Sequence, residues 1–143
     1  MAEAKGILAI GELNSDGSLG TVTKELLAVA RRLAEGMGGQ VFAVILGKTA
    51  SQLASEAIAA GADKVWVSED QLLHEFQIDT HVSALAQIAQ EIQPEVILSG
   101  RTLDGRDLAP RLAFRLGVSL MQDCVDVSLD PATRRVVATR PVY

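Results

Sequence analysis

The stretch EVILSGRTLDGRDLAPRLAFRLG, residues 95–117, gathers the groups best able to do chemistry: Gly100, Arg101, Gly105, Arg106, Asp107 and Arg111. An apolar run, Val96-Ile97-Leu98, gives way there to glycines and charges just where a helix pattern begins. Glycines let backbone amides face outward, a helix N-terminus carries partial positive charge, and guanidinium groups grip oxyanions in a fixed fork. That combination suits an anion or a nucleotide phosphate. The same arginines would equally dock a neighbouring subunit, and Asp107 and Arg111, four apart on a helix, can pair with each other at a plain strand–helix junction. The residues alone leave these readings open. The charge map sharpens the contrast. Val65 to Gly100 holds no Lys or Arg but carries Glu69, Asp70, Glu75, Asp79, Glu91 and Glu95, and then Arg101, Arg106, Arg111 and Arg115 follow in quick succession.

Other chemistries find no support in the spacing. Gly47-Lys48-Thr49 resembles the end of a GxxxxGK[ST] phosphate loop, but the required first glycine is replaced by Phe42, inside a strand run. Thr49 is better placed as a helix cap, forming a capping box with Gln52. Gly11 to Gly17 lacks the GxGxxG spacing of a dinucleotide site. His74 and His81 have no ligand-spaced cysteines, so no metal site is expected. No serine stands in a GxSxG elbow, and no catalytic residue is expected. Cys124 has no partner for an internal disulfide and reads as a small buried hydrophobe or an inert thiol.

These groups need elements to position them, and strand and helix signals alternate along the chain. Ile7 to Ile10 is a continuous apolar run, as in a strand covered on both faces. From Thr21 a helical stripe follows through Leu26, Leu27, Ala30, Leu33 and Ala34, ended by Gly36, Gly38 and Gly39. Val41 to Leu46 is a second strand, and a helix through Leu53, Ala54, Ala57 and Ile58 stops at Gly61. Val65-Trp66-Val67 is a third strand. A helix from Asp79 or Thr80 buries Val82, Leu85, Ala86, Ala89 and Ile92 until Pro94 forbids it. Val96 to Leu98 is the fourth strand, followed by a helix with Leu108, Leu112 and Leu116 buried and Pro110 near its first turn. After Gly117, VSLMQDCVDVSLD and RRVVATRPVY alternate like the strands of an antiparallel hairpin. The expected fold is α/β: a three-layer, doubly wound, mostly parallel sheet with a C-terminal antiparallel β hairpin.

Composition bounds the rest. At 143 residues the chain is the size of one compact domain, 1–143. It is 48% hydrophobic but only 3% aromatic, so its core must be Ala, Val, Leu and Ile. A formal net charge of -5 gives no general attraction to nucleic acid or anionic lipid. No apolar stretch approaches the ~20 residues of a membrane span. The run in MAEAKGILAIGEL is too short for a signal-peptide core with its cleavage site. The expectation is a cytoplasmic, bacterial-like protein with no nucleic-acid partner and no membrane insertion.

One resemblance covers essentially the whole chain. Gly105-Arg106-Asp107-Leu108, Pro110-Arg111 and Ala113 resemble the Gly-Arg-Asp-Leu-x-Pro-Arg-x-Ala helix start of electron transfer flavoprotein α subunits. Gly61-Ala62-Asp63-Lys64-Val65 and the terminal Arg140-Pro141-Val142-Tyr143 are similar to that family in the same order. The resemblance implies an N-terminal domain with an adenine-nucleotide-hydrolase-like, Rossmann-like fold that packs against the β subunit, in an α subunit whose C-terminal FAD domain is absent from this chain. It further implies an electron carrier between flavoprotein dehydrogenases, such as those for acyl-CoA in fatty acid β-oxidation, and a quinone reductase or other acceptor. FAD would belong to the complete heterodimer and AMP to the partner β subunit. No cofactor is expected on this fragment, and Gly100, Arg101, Gly105, Arg106, Asp107 and Arg111 become an interface or a vestigial nucleotide corner. The alternative is an autonomous nucleotide-binding module similar to universal stress proteins.

Overall fold

The computed structural model describes residues 6–141. Four short strands, β1 (Gly6–Ile10), β2 (Gln40–Leu46), β3 (Lys64–Ser68) and β4 (Val96–Leu98), form a parallel sheet in the order β3-β2-β1-β4. Helices α1 (Thr21–Met37), α2 (Ala54–Ala59) and α3 (Ile78–Ile92) make the crossovers, and α4 (Leu103–Leu116) follows β4. Strands β5 (Asp126–Leu129) and β6 (Val136–Thr139) pair antiparallel, with Asp126 opposite Thr139 and Leu129 opposite Val136. The expected α/β class, parallel sheet and hairpin are all present. Met1–Lys5 lie outside the described residues, as do Val142 and Tyr143, which were expected to continue the second hairpin strand.

Strands β1 and β2 are covered on both faces, which is why their runs are apolar throughout. Alternate residues divide between two cores. Ile7, Ala9, Val41, Ala43 and Ile45 pack with Leu27, Ala30 and Leu33 of α1 and Ala57 of α2. Leu8, Ile10, Phe42 and Val44 pack with Val82, Leu85 and Ala86 of α3 and Leu108 and Leu112 of α4. Each fully buried Leu or Ile contributes roughly 1.5–3 kcal/mol, so the two cores hold the layers together. Small residues set the spacing, since alanines at 9, 30, 43 and 57 let helix and sheet approach closely.

Polar staples register the elements. Asp63 accepts from the Val41 amide at 2.8 Å and from Arg31 at 3.0 Å, fastening the start of β3 to β2 and α1. Arg31 also donates to the Gly61 carbonyl. The Val41 amide holds the Asp63 carboxyl below its ordinary value, opposed by burial and helped by the Arg31 guanidinium. The hairpin is fastened to α1 in a similar way. Arg32 donates to the Val127 carbonyl at 2.9 Å, Arg134 reaches the Gly36 and Met37 carbonyls at 3.3 Å, and Val127 and Leu129 pack on the first core.

Some local expectations are corrected. Thr49 builds no capping box. The Gly17 turn lies against it, so its hydroxyl donates to the Gly17 carbonyl at 2.6 Å, and the next turn, Ala50–Leu53, is 3-10 rather than α. Pro110 lies well inside α4 instead of near its first turn, because Thr102 caps the helix early and Leu103 already belongs to it. Cys124 is half-buried in the segment between α4 and the hairpin, not a core residue.

Candidate functional site

The strand order makes the site. Connections from β1 run toward β2 and β3, whereas β4 lies on the other side of β1, so the loops after β1 and β4 diverge above the sheet. Such a switch point, at the carboxyl ends of parallel strands, is where doubly wound sheets bind ligands. A cleft of about 520 Å³ opens there, with Ile10, Val44, Leu46, Leu85 and Leu108 as its apolar floor. Polar groups reach it from every loop: Glu12 and Asp16 after β1, Lys48 after β2, His74 after β3, and Ser99 and Asp104 after β4.

The start of α4 closes on itself. Thr102, at the N-cap, accepts from the Gly105 amide at 3.0 Å and donates to Glu12 Oε1 at 2.6 Å. Glu12 is anchored in turn through its backbone. Its amide donates to Thr23 Oγ1 at 2.8 Å, and its carbonyl accepts from the Gly20 amide at 2.8 Å. Glu12 Oε2 is buried with no hydrogen-bond partner among the described residues. Burial pushes the Glu12 carboxyl above its ordinary value, the Thr102 hydroxyl opposes that, and nearby Asp104 adds to it. Asp104 occupies the first turn of α4, the positive end of the helix dipole.

The predicted corner residues do not converge. Gly100 and Gly105 are both buried, and neither serves to turn amides outward. A Cβ on Gly105 would collide with the Gly100 carbonyl, and one on Gly100 would meet Val22 at 2.6 Å and Glu12 Oε2 at 2.9 Å. These glycines seat the helix on the strand end, backbone against backbone. The arginines lie on the outer side. Arg101 pairs with Asp123 at 2.9 Å. Arg111 pairs with Asp79 of α3 at 3.1 Å rather than with Asp107. Arg115 donates to Ser83 at 2.9 Å. Arg106 and Asp107 are exposed and share a shallow depression with Gln122 and Asp123. Of the six predicted residues only Gly105 lines the cleft. Sequence reasoning missed Glu12, Thr102, Asp104 and His81. A legible signal existed for Thr102, a threonine placed to cap a helix whose first turn carries an aspartate.

This arrangement does not fit a phosphate-bearing cofactor. The amide that would greet a phosphate is taken by Thr102, and two carboxylates stand at the helix start in its place. Like charges brought together in a half-buried site oppose binding. Among the described residues no cluster of three or more His, Cys, Asp and Glu is arranged to hold a metal ion, and no helix is long and apolar enough to cross a membrane.

Fold and site together define a Rossmann-like α/β domain that keeps the nucleotide-binding layout but fills its phosphate end with its own carboxylates. The family model for the electron transfer flavoprotein domain matches residues 7–143, and the chain belongs to that family, whose role is electron transfer. It is 35% identical over 142 residues to an electron transfer flavoprotein subunit alpha of Clostridium acetobutylicum, covering 99% of this chain and 42% of the relative. It is 40% identical over 141 residues to the subunit alpha of Megasphaera elsdenii, covering 99% and 41%. It is also 36% identical over 115 residues to the acryloyl-CoA reductase electron transfer subunit beta of Anaerotignum propionicum, covering 80% and 31%. The chain thus spans about two fifths of the length of the α subunits it matches.

Proposed function

We propose that this chain is the N-terminal scaffold domain of an electron transfer flavoprotein α subunit, and that residues 1–143 form a single domain followed in the complete subunit by an FAD domain. The observation that carries the reading is the family match along nearly the whole chain. The complete heterodimer, with a β subunit that holds AMP, carries electrons through FAD from flavoprotein dehydrogenases, acyl-CoA dehydrogenases among them, to a quinone reductase or other acceptor in the cytoplasm. In this role the fragment has no catalytic group of its own and contributes no flavin ligand. Its outer face supports a docking role. Asp107, Arg111 and Phe114 recur at i, i+4 and i+7 on α4, and Phe114 is 89% exposed. Val118, Met121 and Val125 in the following segment are exposed as well. Apolar side chains left open among charges mark interaction surfaces.

Mixing the chain with an electron transfer flavoprotein β subunit and a C-terminal α segment is expected to yield a yellow, flavin-bearing complex. A colourless mixture without association would overturn the assignment. Within it, Arg106→Ala should weaken assembly while leaving the melting temperature in place, because the side chain is exposed and its backbone amide bond to Thr102 is unaffected. A collapsed melting temperature with intact assembly would instead make Arg106 structural. The stress-protein-like alternative predicts heat on titration with ATP or AMP, and the acidic helix start argues for none.

A further inference from the structure

The cleft is not empty of purpose once phosphate is excluded, because its lining points to a different ligand. His81, on the first turn of α3, keeps only 9% of its surface exposed and lines the cleft. Its Nδ1 lies 3.0 Å from the Gln77 carbonyl and 3.4 Å from the Gln77 amide, and the tautomer protonated at Nδ1 makes the shorter contact by donating to the carbonyl. A neutral imidazole that donates from Nδ1 presents a bare lone pair at Nε2. Burial holds the ring in that neutral form by lowering its pKa, although the Gln77 carbonyl and Asp104 act the other way. Nε2 has no hydrogen-bond partner among the described residues, and Phe76 packs against the ring at 4.9 Å. A nine-tenths-buried side chain therefore offers an unused acceptor to the cleft.

Its neighbours offer acceptors too. Asp104 is exposed, lines the same cleft and is close enough to His81 to act on its charge. Glu12 and Asp16 line the cleft too, with Lys48 as its one fixed cation among the described residues. An acceptor-rich wall above an apolar floor recognises a donor-rich head on an apolar body. We propose that the cleft binds a small organic cation, with an ammonium or amidinium head held by Asp104 and His81 Nε2 and an apolar body lying over Ile10, Val44, Leu46 and Leu108.

Two ligands of the same shape and opposite charge test it. Tryptamine and 3-indolepropionate share the indole and differ at the head. Titrated into the ¹⁵N-labelled full chain, tryptamine is expected to shift the amides around Glu12, His81, Asp104 and Leu108 saturably, and indolepropionate and AMP are expected not to. Asp104→Asn, a change of nearly equal shape at an exposed position, should weaken tryptamine about tenfold, the scale of one charge-assisted hydrogen bond. His81→Phe keeps an aromatic ring beside Phe76 but removes the acceptor, and should weaken it as well. Equal binding of both indoles, tighter binding of AMP, or unchanged affinity in Asp104→Asn would overturn the proposal.

Discussion

Glu12 is the residue on which the corner turns. Its backbone is held by Thr23 and Gly20, its Oε1 by Thr102, and its Oε2 by none of the described residues. A carboxyl whose folded pKa is raised binds its proton more tightly in the native state. The stability it contributes is whole below pH of about 4.5 and is lost as pH rises through the folded value. Glu12→Gln cannot titrate and escapes that loss. Urea unfolding between pH 4 and pH 7 is therefore expected to show the variant gaining on the wild type as pH rises; parallel profiles would mean that the carboxyl is not desolvated in the native state. None of this was legible from the sequence, where Glu12 stands among turn residues and looks solvated. What buries it is α4, ninety residues further on, whose N-cap hydroxyl reaches back across the sheet. By contrast the Gly61-Ala62-Asp63 string stood out in the sequence as a family likeness, and the fold gives its aspartate the task of fastening β3 to β2.

At the scale of elements, α4 carries both the successes and the failures of reading the chain unaided. Its four-residue repeat correctly placed Leu108 and Leu112 in the core, with Leu116 packed beside them, because periodicity is a property of the helix alone. Its ion pairs were misassigned for the opposite reason. Arg111 finds Asp79 on α3, and which helix lies alongside is decided by the sheet order, not by local spacing. Its start was misplaced because Thr102 caps the helix one turn earlier than the proline implied. Pro110 therefore sits in the helix interior, where it has no N–H to give the Arg106 carbonyl. Its side chain is exposed, so Pro110→Ala removes little packing. That substitution is expected to stabilise the domain by about 1–3 kcal/mol, read from chemical denaturation, on the scale of the proline penalty in helix interiors. A loss of stability would show that Pro110 itself helps to seat α4 on α3.

For the molecule as a whole, stability is unevenly spread. Strands β1 and β2 lie inside two cores, whereas the hairpin is a two-stranded ribbon fastened to α1 by arginine contacts and a few apolar side chains. Such a ribbon is marginal by itself. Hydrogen exchange is expected to show the amides of Ile7–Ile10 and Val41–Ile45 opening only with global unfolding, and those of β5 and β6 opening earlier in a separate step. Exchange of both sets at one common free energy would mean that hairpin and sheet form a single cooperative unit. The class of fold was legible because alternation of strand and helix patterns, followed by paired strands, admits few layouts. The meaning of the glycines was not, because a glycine that frees a loop and one that admits a close neighbour look alike in a string of letters. Since Gly105 rests directly on the Gly100 carbonyl, the seat of α4 has no room for even one methyl group. Anyone wishing to re-engineer this cleft to take a nucleotide should exchange the acids at 12 and 104 and leave both glycines alone; a bulkier residue at either would lift the helix and carry the outer arginines away with it.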